Sequence, residues 1–193
     1  DAMSDNLAYQ EEFREELIGG EVVSMSPWPM YNHNHIAFNI AVLFSNYLRG
    51  KQCTAIPAAT DLYVTEEDRF VPDVMVVCDR DKIRRDGVHG APDLVVEVLS
   101  PSTMRNDRMR KKEVYQACGV REYWLVDPEN RTIEQYLLQE GKLELNMVYV
   151  SCRDYELERM SEQEKAELET HFQCSLYSDF DIALEDVFSG LLP

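Results

Sequence analysis

Short apolar runs separated by polar turns dominate the middle of the chain, and they predict three buried strands. The runs are FVPDVMVV at residues 70–77, PDLVVEVLS at 92–100 and REYWLVDP at 121–128. Between the second and third runs, residues 105–119 place Asp107, Lys111 and Tyr115 at intervals of four positions. This spacing puts the three side chains on one face of a predicted helix. The predicted order in this region is therefore strand, strand, helix, strand.

The flanking sequence supplies further elements. Residues 34–48 carry apolar side chains at helical spacing, which predicts the best-defined helix of the first half. Residues 131–150 predict a hairpin that turns at Glu140 and Gly141. A charged segment at 79–92 is expected to be a loop between the first two central strands. Four weaker elements are also predicted: a short helix at 7–18, strands at 21–25 and 59–64, and a capped helix at 161–172.

This order of elements fits an α/β or α+β fold, with a mixed central β-sheet flanked by helices. The chain has 193 residues, of which 45% are hydrophobic, and that suffices for one core of ordinary size. We therefore expect a single domain at 10–193 that follows a tail at 1–9. Asp1 and Ala2 precede Met3 and are expected to be a cloning remnant.

Composition narrows the classes of function. No apolar run approaches the roughly 20 residues of a membrane-spanning helix, so no membrane association is expected and the cytoplasm is the default location. The formal net charge of -17 disfavours a general polyanion-binding protein. The five cysteines are scattered and form no CxxC pair, which favours reduced thiols and disfavours a zinc site.

Two carboxylates in the central strands suggest a metal site. Asp73 lies just inside the first of these strands, and Glu97 lies in the middle of the second. Burying a carboxylate among valines and leucines is costly unless a cation or hydrogen-bond donors compensate its charge. On the helix that follows, Asp107, Lys111 and Tyr115 recur every fourth residue and share one face. A divalent metal would compensate both carboxylates, and a buried ion pair between Glu97 and Lys111 is the structural alternative.

Several motifs, taken in order, resemble the Uma-two (Uma2) family of restriction-endonuclease-like proteins. The motifs are LIGGEVVSMSP, VPDVMVV, APDLVVEVLSPST, GVREYWLVDP and the DxxxKxxxY spacing that begins at Asp107. The resemblance covers roughly residues 10–190 and implies the PD-(D/E)XK nuclease fold, with an active site where two neighbouring strands diverge. It also implies a metal-dependent endonuclease that hydrolyses phosphodiester bonds of DNA.

Carried over residue by residue, the resemblance implies the catalytic residues Asp73, Glu97 and Lys111. Asp73, Glu97 and the backbone carbonyl of Val98 would bind Mg²⁺ or Mn²⁺, and water would complete the octahedral shell. The metal would polarise the phosphodiester, while Lys111 would position the attacking water or stabilise the developing charge. The general nuclease signature places its lysine two residues after the strand acid, where this chain has Leu99. The amine would therefore come from the following helix.

Other polar residues and functions stay open at this point. Lys112 points about 100° away from Lys111 on an ideal helix and is the weaker candidate for the amine. Asp93 could take a direct part in catalysis or form a turn, and Glu21 could be an outer metal ligand or exposed. His33 could contact substrate, cap its helix or have a packing role. The main alternative function is a catalytically inactive module that keeps the nuclease fold and binds nucleic acid or protein. A homo-oligomer is equally compatible with the sequence.

Overall fold

The computed structural model describes residues 15–24 and 30–192. Those residues form a central six-stranded sheet, a second six-stranded sheet of short strands and a small two-stranded sheet. The predicted fold class, a mixed central sheet flanked by helices, is confirmed. None of the helices in the described part of the chain has the length and apolar character that crossing a membrane requires.

The central sheet contains the three strands predicted from the apolar runs. From edge to edge, it consists of β12 (Lys142–Val150), β11 (Thr132–Gln139), β10 (Glu122–Asp127), β9 (Leu94–Val98), β6 (Val74–Val77) and β3 (Thr54–Pro57). Within this sheet, β9 and β10 are parallel and the other neighbouring pairs are antiparallel. Strands β6, β9 and β10 are buried on both faces, which explains their nearly continuous apolar sequences.

Helix α1 (Tyr31–Tyr47) covers one face of the central sheet. Its side chains Ile36, Ile40 and Phe44 recur at helical spacing and are fully or almost fully buried. They share one core cluster with side chains of β6, β9 and β10, and the Phe44 ring lies 5.5 Å from the Trp124 ring. The helix predicted at 34–48 is confirmed and begins three residues earlier. Its first turn thereby reaches the end of the sheet where β6 begins.

The opposite face is covered by a continuous helical segment and by the second sheet. The helical segment consists of α2 (Met104–Asn106), a π-helical turn (Asp107–Lys111) and α3 (Lys112–Cys118), and is called the lysine helix below. The second sheet consists, from edge to edge, of β2 (Glu21–Ser24), β1 (Glu15–Ile18), β5 (Arg69–Phe70), β4 (Leu62–Tyr63), β8 (Gly87–His89) and β7 (Ile83–Arg84). Tyr115, Phe70 and Tyr123 form part of the core between these layers.

The first described segment corrects a prediction. Residues 15–18 form strand β1 and not the end of a helix, while residues 7–14 lie outside the described residues. Gly19 and Gly20 both have positive φ angles and close a two-residue hairpin to β2. Along β1, Glu16 and Ile18 face the interior. Because one of the two inward side chains is a carboxylate, residues 15–18 do not alternate between apolar and polar side chains. The strand was therefore not recognised in the sequence.

Three other boundaries differ from the predictions. The run at 70–77 is broken at Pro72, so Asp73 lies one residue before β6 and not inside a continuous strand. The segment at 79–92 contains a 3-10 turn and the short strands β7 and β8, and is not a simple loop. The predicted helix at 161–172 is limited to α5 (Glu162–Ala166), which keeps its predicted capping box. Its last residues instead begin β13 (His171–Gln173), which pairs with β14 (Asp181–Ala183).

The remaining elements follow the predictions or complete the core. The hairpin of β11 and β12 turns at Glu140 and Gly141 as predicted. Two short helices, α4 (Asp154–Leu157) and α6 (Leu184–Phe188), lie near the end of the chain, and α6 packs in the same core as α1.

The prediction of reduced thiols is wrong for two cysteines. Cys53 and Cys78 form a disulfide in the structure, whereas the other three cysteines are free. Thr54 pairs with Val77 across β3 and β6, so the two disulfide cysteines follow as cross-strand neighbours. They are separated by 25 positions in the sequence, and only the strand pairing brings them together.

Candidate active site

Asp73 lies beside Glu97 at one end of the central sheet, one residue beyond the last paired residue of β6. Val74 of β6 lies opposite Val96 of β9, and the antiparallel register then brings Asp73 level with Glu97. The Oδ2 atom of Asp73 accepts a hydrogen bond from the backbone N–H of Val98 at 2.8 Å. The three residues predicted as metal ligands are therefore neighbours in the structure.

The Lys111 amine lies inside a cluster of carboxylates. Its Nζ atom is 3.2 Å from Oε1 of Glu97, 2.9 Å from Oε1 of Glu16 and 3.1 Å from Oδ1 of Asp107. These four side chains are between 1% and 4% exposed. The Tyr115 hydroxyl donates a further hydrogen bond to Oε1 of Glu97 at 2.8 Å. The lysine helix thus presents Lys111 and Tyr115 to the same carboxylate.

The surrounding backbone fixes this cluster. Oε1 of Glu16 also accepts a hydrogen bond, at 2.9 Å, from the backbone N–H of Val71, which lies two residues before Asp73. The Tyr123 hydroxyl donates to the backbone carbonyl of Asp107 at 2.9 Å. The π-helical turn at Asp107–Lys111 is an irregularity of the kind that is frequent at functional sites. Both sheets and the lysine helix therefore determine where the charged groups lie.

Burial and mutual charge shift the pKa values in the cluster. Burial raises the pKa of Glu97 well above its usual value, Lys111 opposes this shift, and the neighbouring carboxylates reinforce it. Burial also raises the pKa of Asp107. For Lys111, burial favours the neutral amine, but the charges of Glu97, Asp107 and Glu16 outweigh burial and raise its pKa well above the usual value. Negative charge is in excess, since one ammonium faces three carboxylates.

The raised pKa of Glu97 predicts a pH dependence of the stability of the metal-free protein. The folded state holds the Glu97 proton more tightly than the unfolded chain, in which the carboxyl has its ordinary pKa of 4.5. The free energy of unfolding should therefore fall as the pH rises from 4.5 through the raised pKa. Urea denaturation in EDTA at a series of pH values measures this slope. In Glu97→Gln the slope should be smaller, and identical slopes in both proteins would contradict the assignment.

His33 lies against Asp73 from the other side of the sheet. It stands in the first turn of α1, and its Nε2 atom is 3.3 Å from Oδ2 of Asp73. Burial lowers the pKa of His33, but the hydrogen bond and charge of Asp73, helped by the Val98 carbonyl, outweigh burial and raise the pKa. The contact with Asp73 was not predicted, since the roles left open for His33 were substrate contact, helix capping and packing.

The other residues whose roles the sequence left open lie outside the cluster of carboxylates around Lys111. Oδ2 of Asp93 accepts a hydrogen bond from the backbone N–H of Cys78 at the opposite end of β9, which is a structural role. The Glu21 side chain is 77% exposed and lies 3.7 Å from Arg110. The Lys112 amine lies 3.9 Å from the centre of the Tyr136 ring, so Lys111 is the lysine that reaches Glu97.

Sequence reasoning missed Glu16 and left Asp107 without a role in the site. Glu16 was assigned to a helix, where its face could not be recognised. The sequence signal was limited to the Gly19–Gly20 pair, which is typical of a hairpin turn, because residues 15–18 do not alternate between polar and apolar side chains. Asp107 belonged to the DxxxKxxxY spacing, yet only the structure shows its Oδ1 atom buried against Lys111 without the geometry of a hydrogen bond.

Comparisons with known proteins identify the chain as a member of a restriction-endonuclease-like family. The chain belongs to the Uma2 family, described as "Putative restriction endonuclease", whose model matches residues 3–170. The uncharacterized protein slr1290 of Synechocystis sp. is 31% identical over 134 residues, which cover 67% of this chain and 70% of that protein. A crystal structure of a "putative nuclease belonging to DUF820" from Anabaena variabilis matches with a TM-score of 0.62. The match covers 91% of this chain and 89% of the other, and at 19% identity it shows the shared fold.

Proposed function

We propose that this protein is an endonuclease that uses Mg²⁺ or Mn²⁺ to hydrolyse phosphodiester bonds of DNA. The observation that carries the proposal is the position of Asp73 level with Glu97, at a sheet end where buried carboxylates outnumber the single lysine. Buried negative charge in excess is costly without a cation. Membership of a restriction-endonuclease-like family supports phosphodiester bonds as the target of such a cation.

The donor atoms suit a hard divalent cation. Asp73 and Glu97 would supply carboxylate oxygens and Val98 a backbone carbonyl, and Mg²⁺ is commonly bound by one or two carboxylates with several waters. In the described contacts with other protein groups, Glu97 uses its Oε1 atom and Asp73 uses its Oδ2 atom. The second oxygen of each carboxylate would therefore be the one that binds the cation. Among the described residues, no three His, Cys, Asp or Glu side chains form a ready metal cluster, so water would fill the remaining positions.

In this proposal the chain's own residues prepare the site. When bound, the metal would polarise the scissile phosphate and lower the pKa of an attacking water. Glu97 and Asp73 would be kept in place by their protein partners, which are Lys111 and Tyr115 for Glu97 and the Val98 N–H for Asp73. The Lys111 amine is almost fully buried by three carboxylates, so it would act as a positioning residue for Glu97 and would not touch the substrate.

DNA binding by the protein surface alone should be weak. The net charge is -17, and two arginines of the lysine helix already have acidic partners. Arg108 contacts both carboxylate oxygens of Glu134 at 2.6 Å and 2.8 Å, and Arg110 lies near Glu21. These pairs reduce the positive charge that the helix offers to phosphates. Because added salt screens the repulsion between this acidic surface and DNA as well as the few attractive contacts, cleavage is expected to change little between low and moderate salt.

Cleavage of supercoiled plasmid tests the proposal. The purified protein should nick or linearise the plasmid with Mg²⁺ or Mn²⁺ and lose this activity in EDTA. Single-stranded DNA and RNA, assayed in parallel, define the substrate class. Asp73→Asn, which keeps the size of the side chain, should be inactive because it removes one anionic ligand. A protein that binds metal but cleaves none of these nucleic acids would contradict the enzyme and favour the inactive binding module.

A further inference from the structure

The imidazole of His33 contacts Asp73, one of the two proposed metal ligands. Its Nε2 atom lies 3.3 Å from Oδ2 of Asp73, which also accepts the backbone N–H of Val98 at 2.8 Å. The side chains of His33 and Asp73 are only 12% and 15% exposed. Two groups from different elements, the imidazole on helix α1 and the backbone N–H of strand β9, thus converge on one oxygen of this carboxylate.

We infer that His33 is a positioning residue that orients Asp73 for the cation. This inference rests on the proposed function and adds a residue that the nuclease signature does not contain. With Oδ2 in contact with the His33 imidazole and hydrogen-bonded to the N–H of Val98, the Oδ1 atom of Asp73 would remain for the cation. A carboxylate that is fixed before the metal binds loses less side-chain freedom on binding.

The position of Asp73 explains why such a residue is needed. Asp73 precedes β6 and follows the break at Pro72, so the regular pairing of the sheet does not include it. Its side chain is held instead by the hydrogen bond from Val98 and by the contact with His33. Groups that hydrogen-bond to metal ligands fix the orientation of those ligands, and their loss typically weakens metal binding by about tenfold to a hundredfold.

His35 provides a matched control in the same turn of α1. It lies two residues from His33, but its ring stacks on Tyr31 at 5.2 Å and packs closely against Gly190. Replacing His35 therefore changes the start of the helix without touching Asp73. Two further variants separate hydrogen bonding from packing: His33→Ala removes the donor, whereas His33→Gln keeps an N–H near the position of Nε2.

Isothermal titration with Mn²⁺ measures the expected effect without depending on catalysis. We expect His33→Ala to weaken Mn²⁺ binding by about tenfold or more. His33→Gln should recover most of this loss, and His35→Gln should bind like wild type. Thermal melting in EDTA should show that all variants are folded. An unchanged affinity in His33→Ala, or an equal loss in His33→Gln, would overturn the inference.

The design separates this inference from the proposed function. Glu97→Ala, titrated in parallel, should lose Mn²⁺ binding. If it does and His33→Ala binds like wild type, the metal site stands and the role of His33 does not. If wild type binds no Mn²⁺, both fail. A nitrogen coupling in the electron paramagnetic resonance spectrum of bound Mn²⁺ would show that His33 is a direct ligand and would also overturn a positioning role.

Discussion

Glu97→Ala should reduce DNA cleavage by about a hundredfold to a thousandfold, the range seen when one electrostatic group that stabilises a transition state is removed. Glu97 would be one of only two anionic metal ligands from the protein. Its loss should release most of the metal and the charge stabilisation that the metal supplies. The plasmid assay at saturating Mg²⁺ and at saturating Mn²⁺ measures this loss.

The Glu97 variant should nevertheless fold. Lys111 keeps Glu16 and Asp107 as partners, and the removal of one carboxylate relieves part of the buried excess of negative charge. Mn²⁺ should raise the melting temperature of wild type more than that of the variant, because ligands stabilise only the state that binds them. Equal cleavage by wild type and variant would point to a contaminating nuclease and would contradict the catalytic role of Glu97.

Lys111→Met should destabilise the protein by about 3–5 kcal/mol, the usual effect of removing one partner from a buried ion pair. The variant leaves Glu16, Glu97 and Asp107 buried without their shared cation. Because protonation removes their charge, the loss should shrink as the pH is lowered. Urea denaturation at neutral and acidic pH in EDTA measures both effects.

Lys112→Met is the matched control for this experiment. Lys112 is the next residue of the same helix, but its amine lies over the Tyr136 ring and contacts none of the three carboxylates of the cluster. A substitution there should change the free energy of unfolding by roughly 1 kcal/mol or less, the range of a cation–π contact at a partly exposed site. Equal destabilisation by both substitutions would contradict the view that Lys111 is the cation of the cluster.

Much of the central architecture could be predicted from the sequence. Strands β6, β9 and β10 are buried on both faces, and their sequences are therefore nearly continuous apolar runs. In the lysine helix, Asp107, Lys111 and Tyr115 lie four positions apart, as expected for one face of a helix. The family resemblance implied Lys111, helical geometry favoured it over Lys112, and the structure places Lys111 against Glu97. The roles of Asp73, Glu97 and Lys111 in catalysis stay predictions.

The parts that could not be predicted depend on contacts between distant segments. In the second sheet, β2 and β4 lie within the strands predicted at 21–25 and 59–64. Strands β7 (Ile83–Arg84) and β8 (Gly87–His89) have only two or three residues, which is too short to show a period, so they were predicted as a loop. Glu16 reaches Lys111 from 95 positions away, and the carboxylate broke the apolar pattern of its own strand. The disulfide of Cys53 with Cys78 required the pairing of β3 with β6.

In the proposed site, Asp73 and Glu97 hold one divalent cation at the end of the central sheet. Anomalous X-ray scattering from crystals equilibrated with Mn²⁺ tests it directly. A Mn²⁺ peak is expected roughly 2.0–2.6 Å from an oxygen of Asp73, an oxygen of Glu97 and the carbonyl of Val98. A fully occupied Mn²⁺ bound elsewhere, with these carboxylates contacting only Lys111, His33 and the backbone, would contradict it.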